Sequence, residues 1–349
     1  MKILHFFRNA KRFFHDYPFY HYLLESDGLE TAIVDFLSPG ETVPRVHFKT
    51  PIHPASTDED RLRVLKSFQP DILHCHHGSL LESVTTLSSQ TGIPAVYSLY
   101  RQDLKASTVA DLLAVRELPL LKGIFLPFSS LFEDLRNRDY KGHTAVLAEV
   151  PGSAYAFKSM AMRTGERKTF AALISEKDEP YIQNIHRSLE KILVTNHTLN
   201  IAWVLLAEEC EKAIRADLAG RKISEFVRLV RLHDFPMLGY DGLVTDGNLN
   251  HCLSDSQYFH LLFSCLTQGK LLITYPEEGM EDILMDGQTC FIVSRSTTKL
   301  SHLIHFLINF QDEMSALVAR AKTYCQENYS RPVMQERLTS VYKQITGKA

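Results

Sequence analysis

The sequence has almost no excess of charge of either sign. Its 38 Lys and Arg stand against 41 Asp and Glu, a formal net charge of −3 over 349 residues. General nucleic-acid binding needs a basic surplus to neutralise phosphates, so that class is excluded as the main function, while a local basic patch for phosphates is not. The six cysteines, Cys75, Cys210, Cys252, Cys265, Cys290 and Cys325, form no Cys-x-x-Cys pair, and most sit in apolar runs. That is the pattern of buried thiols in a reducing compartment. No apolar run reaches the ~18 residues of a membrane-spanning helix. The start, Met1-Lys2-Ile3-Leu4-His5-Phe6-Phe7-Arg8, is too short and too charged for a signal peptide and reads as a first strand. Without a secretory signal, the sequons at Asn196 and Asn328 carry little weight. The expected location is cytoplasmic.

What is present is a globular composition, 45% hydrophobic and 23% charged, long enough for two cores. Short apolar runs alternate with helical patterns throughout. Strands are expected at Lys2–Phe6, Thr31–Phe36, Asp71–His76, Pro94–Leu99, Gly123–Phe128 and Thr144–Glu149. Helices are expected at Phe19–Ser26, Arg61–Phe68, Ser79–Thr91, Val109–Leu121 and Ser130–Arg138. After a polar linker over Ser159–Lys168 the alternation restarts. Strands follow at Thr169–Ile174, Leu199–Leu206, Glu225–Val230, Leu271–Thr274 and Cys290–Val293, with helices at Glu179–Thr195, Glu208–Leu218, Tyr258–Gln268, Lys299–Phe310, Glu313–Glu327 and Arg331–Ile345 and a helical turn at Glu281–Asp286. Strands separated by helices predict parallel pairing with helices on both faces. The expected organisation is an α/β domain over residues 1–158, the linker 159–168, a second such domain over 169–328, and a terminal helix, 329–349, packing back toward the first domain.

Ligands of open parallel sheets bind beyond the carboxyl ends of the strands. At the first such end, His74-Cys75-His76-His77, alternation puts His74 and His76 on one face and His77 on the other. That split, with no carboxylate to complete a tetrahedron, disfavours zinc; His76 and His77 stand where a ligand would meet them. At the second, Tyr100 and Arg101 follow an apolar strand. Arg101 reads equally as a phosphate or carboxylate contact and as a surface partner of Asp103. At the third, Lys177 sits at a strand-to-helix junction, either as a diphosphate contact or in a solvated charge run. At the fourth, Pro276-Glu277-Glu278-Gly279-Met280-Glu281 follows the run ending in Thr274 and Tyr275. There Gly279 permits close backbone approach to a ligand and Glu281 could accept from hydroxyls. Asp58-Glu59-Asp60 fits a two-residue metal motif, but its place before a helix reads first as an N-terminal cap.

These pieces, in this order, resemble family 4 glycosyltransferases of the GT-B architecture. The resemblance is strongest over Gln268–Val293 and continues through Glu313–Tyr342, and Phe68–His76, Gly92–Val96 and Glu149–Gly152 look like further family segments. It implies two Rossmann-like domains facing across a cleft. It also implies transfer of a sugar from a nucleotide sugar to a glycan, lipid-linked or protein acceptor, in polysaccharide or glycoconjugate synthesis, without a metal or other cofactor. Lys177, Glu278, Gly279, Met280, Glu281 and Ser256 would lie on the donor side, and His76, Tyr100 and Arg101 at the catalytic and acceptor side. A lipid-linked acceptor would bring Phe6–Phe14 to the inner face of the membrane, with core packing of those rings as the alternative.

The chain departs from the family pattern at several points. Arg8-Asn9-Ala10-Lys11 replaces a Gly-Gly loop, and Tyr100 replaces a His. The Arg of an Arg-Lys pair falls near Leu173, and two glutamates eight positions apart fall on Ser256 and Ser264. Missing carboxylates raise a second reading, a catalytically silent GT-B protein that stabilises a partner glycosyltransferase; other GT-B activities such as epimerisation form a third.

Overall fold

The computed structural model describes residues 1–16, 18–36, 49–100, 118–147, 168–174, 178–195, 199–205, 208–231, 240–245, 255–276, 280–293, 302, 303, 306 and 310–348. The chain forms two compact units, Met1–Gly152 with Tyr329–Ala349, and Ser153–Asn328. The expected linker, apart from Lys168, and most of the expected helices at Val109–Leu121 and Lys299–Phe310 lie outside the described residues.

The first unit is built on a parallel seven-stranded sheet in the order β3-β2-β1-β4-β5-β6-β7. Its strands are β1 Lys2–Arg8, β2 Glu30–Phe36, β3 Ile52–Pro54, β4 Ile72–Cys75, β5 Ala95–Ser98, β6 Gly123–Leu126 and β7 His143–Val146. All four residues of β4, β5 and β6 are buried, as expected for parallel strands covered on both faces. The helices among them are α1 Ala10–Asp16, α2 Asp58–Phe68, α3 Leu81–Thr91 and α4 Leu131–Asn137. The helix expected at Phe19–Ser26 is instead α1 followed by a 3-10 turn at Pro18–Leu23, because proline cannot continue a helix through its own position.

The second unit repeats the plan with six parallel strands in the order β10-β9-β8-β11-β12-β13. These are β8 Lys168–Ile174, β9 Leu199–Leu205, β10 Val227–Arg231, β11 Gly242–Val244, β12 Leu271–Thr274 and β13 Phe291–Ile292. Its helices are α5 Glu179–Thr195, α6 Glu208–Leu218, α7 Asp255–Thr267 and α8 Gln311–Tyr329; α9, Arg331–Thr346, belongs to the first unit. Strand β11 is short and opens on a glycine, so the residue pattern does not announce it. A Cβ at Gly242 would lie 2.6 Å from the Phe170 ring on neighbouring β8. Among the described residues, no helix is long and apolar enough to cross a membrane.

The Asp58–Asp60 segment resolves as a cap. Thr57 Oγ1 accepts from the Asp60 amide at 3.2 Å, and Asp60 Oδ2 accepts from the Thr57 amide at 3.2 Å, a reciprocal capping box. Thr57→Ala is expected to lower stability by about 1 kcal/mol. Asp58→Ala should change it by less than about 0.5 kcal/mol, and neither should alter metal binding. Urea titrations of the two variants with and without manganese check both points.

Candidate functional site

Each sheet has a point where the strand order reverses, between β1 and β4 in the first and between β8 and β11 in the second. Crevices at the carboxyl ends of such pairs are where open α/β sheets bind ligands.

In the first unit, β1 and β4 run in register with His5 beside His74. Both side chains are fully buried, as is that of His76 just beyond β4. The three rings form a cluster with hydrogen bonds at both ends. His5 Nδ1 lies 2.8 Å from His76 Nε2, and His76 Nδ1 lies 2.5 Å from the Tyr100 hydroxyl. His74 lies between the Tyr342 hydroxyl of α9, 2.5 Å from Nδ1, and Ser98 Oγ, 2.7 Å from Nε2. Burial pulls all three imidazoles far below their usual range, His5 to about 3, so the cluster is neutral.

Each of these histidines has a ring nitrogen within 4.8 Å of the others, close enough to raise the question of a metal. The ring planes argue against one. His74 and His76 lie face to face with a tilt of 31° and centroids 3.9 Å apart, and His5 and His76 stack with planes 24° apart. Imidazole lone pairs lie in the ring plane, so stacked rings do not converge on one ion. Both nitrogens of His74 are also engaged by hydroxyls.

The structure therefore places His76 and Tyr100 together but inside the protein. The His76 ring lies on Phe7, centroids 4.0 Å apart, and Tyr100 is 3% exposed. His76 orients Tyr100; it does not itself reach solvent. Arg101 lies outside the described residues.

In the second unit the two strands nearest the switch on one side end alike. Thr245 follows β11 and Thr274 closes β12; both are buried, and their hydroxyls are 2.9 Å apart. The helix that follows β8 is capped by Asp178, whose Oδ1 accepts from the Tyr181 amide at 2.9 Å. A carboxylate thus already occupies part of the helix end that would otherwise favour an anion.

Beyond β12, Met280 is buried, and its carbonyl accepts from the amides of both Ile283 and Leu284. These bonds form a single helical turn over Met280–Leu284, where one is expected at Glu281–Asp286. The turn is fixed from below: Thr289 Oγ1 donates to the Ile283 carbonyl at 2.5 Å, and the Tyr324 hydroxyl of α8 donates to the Asp282 carbonyl at 2.8 Å. Glu281 is exposed on this anchored segment. Lys177, Glu278 and Gly279 lie outside the described residues. Ser256 lies in α7. Ser264, one of the two serines at glutamate positions, is 2% exposed with no hydrogen-bond partner for its hydroxyl among the described residues.

Compared by sequence, the chain matches no protein-family model and no curated protein. Compared by structure, it matches solved proteins from end to end. HepE from Anabaena, in complex with UDP, is 10% identical with a TM-score of 0.66, over 99% of this chain and 100% of that one. The fold is GT-B. UDP-GlcNAc 2-epimerase from Neisseria meningitidis, bound to UDP-GlcNAc, is 12% identical with a TM-score of 0.63, over 99% and 100%. A glycosyltransferase from Rickettsia africae is 11% identical with a TM-score of 0.62, over 100% and 99%. At these identities the likeness is one of fold: two Rossmann-like parallel-sheet units, as in GT-B glycosyltransferases.

Several groups at these sheet ends escape a residue-level reading. The Thr245–Thr274 pair has a faint signal, in that Leu-Val-Thr and Leu-Ile-Thr end two apolar runs alike. The Tyr342–His74 bond joins residues 268 positions apart and has none.

Proposed function

We propose that the protein is a glycosyltransferase of the family 4 type, moving a sugar from a nucleotide sugar to a glycan, lipid-linked or protein acceptor. The reading is carried by the full-length match to structures that hold UDP and UDP-GlcNAc. In this reading the nucleotide sugar lies at the carboxyl end of the second sheet. Glu281 accepts from donor hydroxyls, Gly279 lets backbone amides approach, and Lys177 and backbone donors neutralise the leaving diphosphate without a metal. Tyr100, oriented by His76, supports the acceptor side from inside the first unit. The setting is polysaccharide or glycoconjugate synthesis on the cytoplasmic side, with peripheral membrane contact if the acceptor is a lipid.

Calorimetry with UDP, UDP-glucose, UDP-GlcNAc and GDP-mannose tests this. One nucleotide sugar is expected to bind, and Glu281→Ala to weaken it by about 10–100-fold, the worth of a hydrogen bond to a charged group. Absence of binding across the panel would defeat the reading. Proton NMR of the sugar product separates transfer from epimerisation, because epimers share a mass and differ in their ring couplings.

The burial of Ser264 and the Asp178 cap favour a second reading, a silent subunit that stabilises a partner glycosyltransferase. It requires that a purified complex keep its activity when Glu281→Ala and Lys177→Ala are combined.

A further inference from the structure

The second unit holds a buried cation at the amino edge of its sheet. Lys270 follows α7 and leads directly into β12, whose four residues are all buried. Lys270 is drawn in with them and is 6% exposed. Lysine is almost never buried to this degree unless it is paired. Among the described residues Lys270 is the one buried lysine or arginine, and its ammonium makes no hydrogen bond or ion pair with any of them. What it faces is a ring: Nζ lies 5.6 Å from the centroid of Tyr240. Tyr240 precedes β11 by one residue, Asp241, and is 8% exposed. The two strands are neighbours, with the Leu271 amide donating to the Asp241 carbonyl at 3.1 Å, so Lys270 and Tyr240 stand at adjacent strand ends.

A π face offsets part of the hydration that the ammonium has lost, but its three N–H donors still have no oxygen or nitrogen to meet. The charge beside it has the same sign. A Cβ at Gly269 would lie 3.7 Å from Lys322 Cδ of α8, so the Lys322 stem runs past the residue next to Lys270. Lys322 is exposed and also makes no ion pair with a described residue. The acid at this edge, Asp241, is turned to β8, where its Oδ2 accepts from the Thr169 amide at 2.8 Å. Burial holds the Tyr240 phenol well above its usual range, so it stays neutral and supplies no counter-charge. For packing alone, an apolar side chain at position 270 would serve as well or better. A residue that breaks the local rule with no structural gain marks a site.

We propose that the amino edge of the second sheet binds an oxyanion, the phosphoryl or carboxylate group of a small molecule, held by the Lys270 ammonium beside the Tyr240 ring, with Lys322 adding a second, solvent-screened charge. The oxyanion gives the ammonium charge-assisted acceptors in a place where water is largely excluded. This edge is at the opposite end of the strands from the proposed donor site, and the site does not depend on the glycosyltransferase reading.

The test melts the full chain in rising inorganic phosphate, acetate or citrate, with chloride holding the ionic strength constant. Trp203, the chain's one tryptophan, lies in the core of this unit and reports its unfolding by fluorescence. At least one probe should raise the transition, by about 5 °C or more once it exceeds its dissociation constant a hundredfold. Lys270→Met replaces the ammonium with an apolar chain of similar length and should weaken that probe by about tenfold or more. Lys270→Arg keeps the charge and should keep a response. Lys322→Gln should weaken the probe only about twofold to threefold, as a screened charge would. A response to phosphate alone marks a phosphoryl ligand, and a response to acetate or citrate alone marks a carboxylate. In chloride alone Lys270→Met should melt no lower than the parent, because an unpaired charge has left a buried position. If no probe moves the transition, if Lys270→Met responds as the parent does, or if Lys270→Met melts several degrees lower in chloride alone, the site is overturned.

Discussion

Between pH 7 and pH 5.5 the first unit is expected to lose about 4 kcal/mol of stability, from His5, His74 and His76 alone. In the unfolded chain each imidazole titrates near its ordinary value of 6.5; in the folded unit burial holds each far lower, His5 at about 3. Between those values the unfolded state binds more protons, so folding weakens as pH falls. The contribution is complete above pH ~6.5 and is lost progressively below it, at up to about 1.4 kcal/mol per pH unit per histidine. Over this interval each histidine supplies about 1.2 kcal/mol. His77, also lowered, pushes in the same direction. Amide exchange of β1 and β4 reads the effect, because these central strands should open only with the unit. After correction for intrinsic rates, their protection should fall by on the order of a thousandfold. His5→Leu should remove one proton from the pH slope whatever it does to stability at pH 7. An unchanged slope would show that these rings are not buried neutral in solution.

That cluster also marks the limit of what the residue pattern discloses. The helices Glu179–Thr195 and Glu208–Leu218 and the strand Leu271–Thr274 are legible to the residue, because an acidic first turn, helical periodicity and a compact apolar run agree there. The strands β3 and β11 are not, since three residues cannot display a period. Alternation correctly pairs His74 with His76, yet it cannot tell a strand end open to ligand from one closed by an aromatic layer. Phe7, Phe13 and Tyr20 close this one, with the Phe13 and Tyr20 rings 5.2 and 4.8 Å from that of Tyr100. Beyond β12, the turn that carries Glu281 is legible, but not its anchoring by Thr289 and Tyr324. The burial of Ser264 is not legible, because it follows from the packing of α7.

Asp217→Ala is expected to cost the second unit about 3 kcal/mol. The chain has one tryptophan, Trp203, at the centre of this unit's core. Its indole N–H donates to His186 Nε2 at 3.0 Å, so that nitrogen carries no proton and Nδ1 carries it instead. Nδ1 is 2.6 Å from Asp217 Oδ2, which accepts from it. The same carboxylate accepts from Arg221 Nε at 2.8 Å and Nη2 at 3.1 Å, while Arg221 Nη1 donates to Glu190 at 2.8 Å. Asp217 thus ties α6 to α5 and, through His186, to β9. His186 is fully buried, and the Asp217 and Arg221 side chains are each 17% exposed, so solvent screens the network only partly. Removing the carboxylate strands a buried N–H and half of a guanidinium fork. Asp217→Asn keeps an acceptor for His186 but turns an amide toward Arg221, and should cost less, about 1–2 kcal/mol. Thermal unfolding followed by Trp203 fluorescence measures both variants, and the emission should shift even before unfolding, because the indole's own acceptor is no longer held. Equal stability of Asp217→Ala and the parent would mean that the second unit does not depend on this network.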